Sequence, residues 1–207
     1  KLEQFFEQLK QKKVAFIGTG VTNNDIMRLF LKKGISITLL DQKPAEKLGA
    51  IYTELQQAGV QFELGPTYLD HLERYDVVFR APGMYYNHPK LQEARQNGVV
   101  ITTEMEVFLE FCPCRCYAVT GSDGKTTTTT LISEFFQESG VTVHKGGNIG
   151  RALLPIIETI QENDVAVVEL SSFQLLSMRQ SPDVAVITNI APNHLDVHGT
   201  MEEYIAA

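Results

Sequence analysis

Thr120-Gly121-Ser122-Asp123-Gly124-Lys125-Thr126-Thr127 follows the apolar run Tyr117-Ala118-Val119 and opens a helical pattern from Lys125 to Ser139. Strand, glycine-bearing loop and helix in that order make a phosphate-binding loop, in which backbone N–H groups converge on an anion at a helix N-terminus. Lys125 is placed to reach terminal phosphate oxygens, and the Thr126 hydroxyl to ligate the Mg²⁺ that accompanies a nucleotide. Gly121, Ser122, Asp123, Gly124, Lys125, Thr126 and Thr127 are therefore the expected residues for binding ATP or GTP. The loop is a shorter variant of G-x-x-x-x-G-K-[ST], with Val119 where that pattern has its first glycine.

Outward from this loop, short β-rich runs alternate with helical patterns. Val14–Ile17, Ile35–Leu40, Gln61–Leu64, Asp76–Arg80 and Val99–Thr102 read as strands, with helices at Asp25–Lys33, Glu46–Ala58 and Pro89–Asn97. The βαβα order predicts an α/β fold with parallel sheets covered by helices on both faces. After a helix at Glu104–Phe111 the pattern restarts, with buried strands at Val165–Leu170 and Val184–Thr188. The expected organisation is a Rossmann-like domain over 1–103, followed over 104–207 by the first part of a P-loop NTPase-type domain, with fewer strands than such a domain normally has.

The 207 residues, 43% hydrophobic and 21% charged, suit an ordinary globular chain of one or two domains. A net charge of −7 without a Lys/Arg-rich run disfavours a dedicated nucleic-acid binder. No apolar stretch approaches the ~20 residues that span a bilayer, and Lys1 to Lys13 is amphipathic without a signal-peptide core. A cytoplasmic monomer without membrane or nucleic-acid partners is expected. Cys112, Cys114 and Cys116 lie too close together for a disulfide framework and lack a further ligand at matched spacing, so they read as reduced thiols on one side of an extended segment.

In the first half Gly18-Thr19-Gly20 follows a strand, and Asp41 ends the next one about 20 residues on, as in dinucleotide-binding folds. Asn23 replaces the third glycine, which makes close packing of the helix against a pyrophosphate less assured. Asp41 is placed to bond a ribose or a base, and Arg80-Ala81-Pro82-Gly83 opens on the same sheet edge. Tight-turn glycines without a ligand are the alternative reading. In the second half, Glu169 ends a buried strand beside the phosphate loop, where a carboxylate ligates Mg²⁺. Ser171 and Ser172 read equally as helix caps or as ligand contacts. His194 lies past the end of another strand, either facing a nucleotide or structural. Gly146-Gly147-Asn148-Ile149-Gly150 reads as a loop that lets the backbone approach a ligand, with Asn148 as donor and acceptor, or as a plain loop.

Thr120–Thr127, Gly146–Gly150, Glu169–Leu175 and Thr188–Asp196, in that order, resemble the ATP-dependent Mur ligases of peptidoglycan synthesis over nearly the whole chain. Glu169-Leu170-Ser171-Ser172-Phe173-Gln174-Leu175 and the Rossmann-like half are most similar to the branch that joins D-glutamate to UDP-N-acetylmuramoyl-L-alanine. The resemblance implies a uridine diphosphate site at Gly20, Val21, Thr22, Asp41, Ala81, Pro82 and Gly83. It implies Lys125 and Thr126 on ATP and Mg²⁺, Glu169 sharing that metal, and His194 on a second Mg²⁺. Asn148, with Ser171, falls to the substrate, and Lys125, Glu169 and His194 carry the catalysis, through an acyl phosphate. Asp123 stands where relatives often have asparagine, so backbone contacts are expected to hold phosphate there. The sequence stops about where the family carries a carbamylated lysine, so these residues alone are expected to bind the UDP substrate without ligating it. Another Mur ligase, a folylpolyglutamate-type synthetase or a nucleotide switch are the alternatives, though no Asn-Lys-x-Asp guanine-specificity segment occurs.

Overall fold

Apolar strands separated by glycine-bounded helices bury themselves most completely as a parallel sheet with helical covers, and the chain does this twice. A computed structural model describes residues 1–207. They form two compact units, Lys1–Glu104 and Met105–Ala207. No helix is long and apolar enough to cross a membrane.

In the first unit α1 (Leu2–Leu9) precedes β1 (Val14–Ile17), α2 (Val21–Lys32) and β2 (Ile37–Asp41). Then come α3 (Ala45–Leu48), α4 (Ala50–Gln57), β3 (Gln61–Leu64), β4 (Val77–Arg80), α5 (Pro89–Gln96) and β5 (Val100–Thr102). The single helix expected over Glu46–Ala58 is broken at Gly49, whose φ of 61° no helix continues through. The strands are all parallel, in the order β3-β2-β1-β4-β5. Side chains alternate across a strand, so Ala15 and Ile17 join Val78, Leu91 and Ala94 on one face. Phe16 points to the other face and stacks on Phe79 at 4.8 Å, with Phe30 of α2 edge-on to both and Phe6 of α1 behind it. The amphipathic start of the chain thus serves as a helical cover over the aromatic face.

At the division, α6 (Glu104–Phe111) leads to β6 (Arg115–Thr120) and α7 (Lys125–Glu138), then β7 (Val143–Gly147) and β8 (Val165–Glu169). Beyond these lie α8 (Ser172–Leu175), β9 (Val184–Ile187), α9 (Leu195–His198) and α10 (Met201–Ala206). The second sheet is parallel as well, in the order β7-β8-β6-β9. Gly146 and Gly147, read from sequence as loop, end the edge strand β7; without side chains they gave no alternating signal. Only Cys116 of the three cysteines lies in β6, because α6 runs as far as Phe111 and a turn follows it.

Candidate functional site

β6 is flanked by β8 and β9, so the loop leaving it at Thr120 emerges between two neighbouring strand ends. Gly121 has a φ of 130°, and a Cβ there would collide with Thr188 Oγ1 and lie 2.8 Å from the Asn189 carbonyl oxygen. Only glycine lets the loop approach the end of β9 this closely. Gly124, left-handed at φ 78°, caps α7, whose first amides belong to Lys125, Thr126 and Thr127 and have no acceptor within the helix. Together with the helix dipole they favour an anion. Lys125 Nζ donates to the carbonyls of Gly121 at 2.7 Å and Ser122 at 3.0 Å, holding its ammonium over the same loop.

Parallel pairing sets Glu169 of β8 beside Val119 of β6, which brings a carboxylate out next to the loop. It is 1% exposed and both its oxygens are engaged. Thr126 Oγ1 donates to Oε2 at 2.7 Å, and Asn148 Nδ2 donates to Oε1 at 2.8 Å. Gly147 holds Asn148 in position: its φ is 95° and a Cβ would collide with the Glu169 carbonyl oxygen, which accepts the Asn148 N–H at 2.7 Å. A hydroxyl and a carboxylate in contact at the foot of a phosphate loop are oxygen donors of the kind that would suit a hard cation such as Mg²⁺. The residues therefore fit both a nucleotide phosphate and its cation.

His194 is placed differently. It caps α9 in a left-handed conformation, φ 53°, with its ring 5.0 Å from that of Phe173. No hydrogen bond joins it to Thr126 or Glu169, and no three His, Cys, Asp or Glu side chains gather as a metal-ligand group. Ser171 caps α8 in a reciprocal box with Gln174: its N–H donates to Gln174 Oε1 at 3.0 Å and its Oγ accepts the Gln174 N–H at 3.4 Å. Capping accounts for Ser171 without a ligand.

The segment after β9 grips the loop from the side opposite Glu169, which sequence reasoning missed by attending to His194. Thr188 Oγ1 donates to the Asp123 carbonyl at 2.6 Å, Asn189 Oδ1 accepts the Asp123 N–H at 3.0 Å, and the Asn189 carbonyl accepts the Ser122 N–H at 3.0 Å. Ser122 Oγ donates to the Ala191 carbonyl at 2.7 Å and lies 2.9 Å from Tyr204 Oη. The amides of Ser122 and Asp123, expected at the phosphate, are thus held by protein partners, leaving the amides that start α7 to the anion. The signal was available: Thr-Asn-x-Ala at the end of a strand neighbouring a phosphate loop is rich in short hydrogen-bonding side chains. Behind the clamp His198 is buried, its Nε2 2.9 Å from Ser172 Oγ and its ring stacked on Phe173; burial pulls its pKa below the usual imidazole value.

The first unit has its own site. In its sheet the connection direction reverses between β1 and β4, the switch point where ligands bind beyond the strand ends. Gly18 after β1 and Ala81 after β4 meet there, 3.6 Å apart measured from the Cβ position of Gly18. Gly20 caps α2, leaving the Val21 and Thr22 amides at a helix N-terminus. Asp41 is turned inward: Oδ2 accepts from the Thr19 N–H and Oγ1 at 3.2 Å each, and Oδ1 from the Lys43 N–H at 2.8 Å. Its visible role is to shape the glycine turn. Asn23, where a dinucleotide fingerprint has glycine, donates from Nδ2 to the carbonyls of Ile17 at 2.8 Å and Gly18 at 3.1 Å. It binds α2 to the turn by hydrogen bonds instead of by close packing. Arg80, fully buried, donates from Nη1 to the Met84 carbonyl at 2.9 Å and so braces the Ala81-Pro82-Gly83 loop.

Residues 12–103 match the family described as Mur ligase MurD-like, N-terminal domain, and residues 119–207 match the Mur ligase middle domain. A UDP-N-acetylmuramoylalanine–D-glutamate ligase of Ruminiclostridium cellulolyticum is 49% identical over 100% of this chain and 44% of that protein. The chain belongs to the Mur ligase family. A Clostridium botulinum protein of the same description is 47% identical to this Mur ligase chain over 99% of it and 44% of the relative, so the chain spans less than half the length of these relatives. Among solved structures, the UDP-N-acetylmuramate-alanine ligase of Thermotoga maritima aligns with 94% of the chain and 45% of its own, at a TM-score of 0.51 and 21% identity, a likeness of fold.

Proposed function

We propose that this chain forms the substrate-binding and nucleotide-binding parts of an ATP- and Mg²⁺-dependent ligase that joins D-glutamate to UDP-N-acetylmuramoyl-L-alanine in peptidoglycan synthesis. The observation that carries the reading is the Thr126–Glu169–Asn148 contact at the foot of the phosphate loop, in a chain 49% identical to a ligase of that name. Residues 1–103 hold the uridine diphosphate, with the α2 amides at Val21 and Thr22 on its phosphates and the Gly20, Asp41 and Ala81-Pro82-Gly83 turns shaping the crevice. Residues 104–207 hold ATP, with Gly121, Gly124, Lys125, Thr126 and Thr127 around the phosphates and Ser122 and Asp123 fixing the loop from behind. Asn148 orients the Glu169 carboxylate through its side-chain hydrogen bond, and Ser171 caps α8.

A carboxylate resists attack by an amine because it is anionic and lacks a good leaving group. Activation solves both problems: a carboxylate oxygen of the substrate attacks the terminal phosphorus of ATP, ADP departs, and an acyl phosphate forms. The D-glutamate amine adds to the acyl carbon, and the tetrahedral intermediate expels phosphate to leave the amide. Bringing two anions together requires fixed positive charge, which the Lys125 ammonium supplies from the loop and α7 supplies through its first amides. Thr126 and Glu169 would hold one Mg²⁺ ion and His194 would contribute to a second, each supplying positive charge against the phosphates. Calorimetric titration of the chain with UDP-N-acetylmuramoyl-L-alanine, NAD and ATP tests the reading. Binding of the UDP substrate and of ATP is expected; binding of NAD alone would refute it.

A further inference from the structure

The run Cys112-Pro113-Cys114-Arg115-Cys116 has no part in the nucleotide chemistry. α6 ends at Phe111 and β6 begins at Arg115, so the turn between them carries two thiols on either side of a proline whose φ is fixed. Cys112 Sγ lies 3.7 Å from Cys114 Sγ and donates to the Cys114 carbonyl at 3.3 Å. A disulfide measures about 2.0 Å, so closure asks the two sulfurs to approach by roughly 1.7 Å. The two thiols also differ in access. All three cysteines line a cleft with Leu109, Arg115, Ser181 and Asp183, but Cys112 is only half-buried, whereas Cys114 is 6% exposed and Cys116 3%.

We propose that Cys112 and Cys114 are a redox-active dithiol, oxidised by low-molecular-weight disulfides to an intramolecular disulfide, with Cys112 attacking and Cys114 resolving. The Cys112 thiolate attacks one sulfur of R–S–S–R, forms Cys112–S–S–R and releases R–S⁻. Cys114 then loses its proton and attacks Cys112 Sγ, breaking the bond to R–S and releasing a second R–S⁻. Two protein thiols are oxidised, one small disulfide is reduced to two thiols, and the two protein protons end on those thiols. Ionisation fits the same order. Hydrogen bonding from Cys114 holds the Cys112 thiol below its usual range, the same bond and then burial push Cys114 up, and burial pushes Cys116 up to about 12. Of the charged groups nearby, Asp183 faces Cys112 and Cys116 and Asp164 faces Cys114; both oppose thiolate formation, so the lowering at Cys112 comes from its partner thiol.

The test treats the reduced, folded chain with oxidised glutathione and reads intact and peptide masses. The expected product has lost two hydrogens within the peptide containing Cys112 and Cys114, keeps a free Cys116, and is restored by dithiothreitol. Cys114→Ser stops at a glutathione adduct on Cys112, Cys112→Ser reacts at least about tenfold more slowly, and Cys116→Ser behaves like the parent. A persistent adduct on Cys112 in the parent chain, modification centred on Cys116, or equal rates with and without Cys112 would overturn the proposal.

Discussion

Replacing Asn23 by alanine removes two hydrogen bonds from one point, the 2.8 Å and 3.1 Å contacts that tie α2 to the carbonyls of Ile17 and Gly18. The side chain is 2% exposed, so water does not replace what is lost. Each such bond nets about 0.5–1.5 kcal/mol, or about 2 kcal/mol for the pair. Alanine recovers up to about 0.6 kcal/mol as the better helix former, leaving a net loss of about 1.5 kcal/mol. Native-state hydrogen exchange reads this unit by unit: protection of the β1 and β4 amides falls by about that amount, while the β6 and β8 amides are unchanged. Asn23→Gly loses the same bonds plus about 1 kcal/mol of helix propensity and is the weaker variant. A change below about 0.5 kcal/mol in β1, or Asn23→Gly more stable than Asn23→Ala, would show that close packing and not hydrogen bonding holds the turn.

Gly147→Ala forces a left-handed alanine against the Glu169 carbonyl and is expected to cost about 1–3 kcal/mol in urea unfolding, with weaker ATP binding as Asn148 shifts. Thr188→Val removes the donor to the Asp123 carbonyl and loosens the phosphate loop; ATP affinity measured by calorimetry falls about three- to tenfold. Burial holds His198 neutral below the usual imidazole pKa of 6.5, so the unfolded chain takes up a proton that the native chain refuses once pH falls below about 6.5. Stability therefore declines from that point downward, and His198→Gln, which takes up no such proton, shows a shallower decline between pH 7 and 5 in urea titrations.

The sequence pattern carried the strand-loop-helix at Thr120–Thr127 because three independent signals coincide there: an apolar run, loop glycines and a helical period. Glu169 was legible for a similar reason, as a lone carboxylate ending a fully apolar strand. Long-range partners were not legible. Nothing local says that Asn148 reaches Glu169, or that Ser122 and Asp123 direct their amides at Asn189, since those contacts arise from strand order and register. β7 escaped notice because Gly146 and Gly147 contribute no side chains, and α4 separated from α3 because one glycine in a helical run turned left-handed. Asn23 looked like a defect in a fingerprint when read singly. In the fold it performs the missing glycine's task by other means.

Thr126 and Glu169, joined by a 2.7 Å hydrogen bond, are proposed together to form the cation seat of a nucleotide site. Calorimetric titration of ATP with and without Mg²⁺, in the parent chain and in Thr126→Val and Glu169→Gln, tests it most directly. The parent chain is expected to bind ATP at least about tenfold more tightly with Mg²⁺, a difference of about 1.4 kcal/mol. Both variants lose that difference, and Glu169→Gln binds metal-free ATP no worse than the parent because a negative charge has gone from beside the phosphates. An undiminished Mg²⁺ effect in both variants would contradict the account.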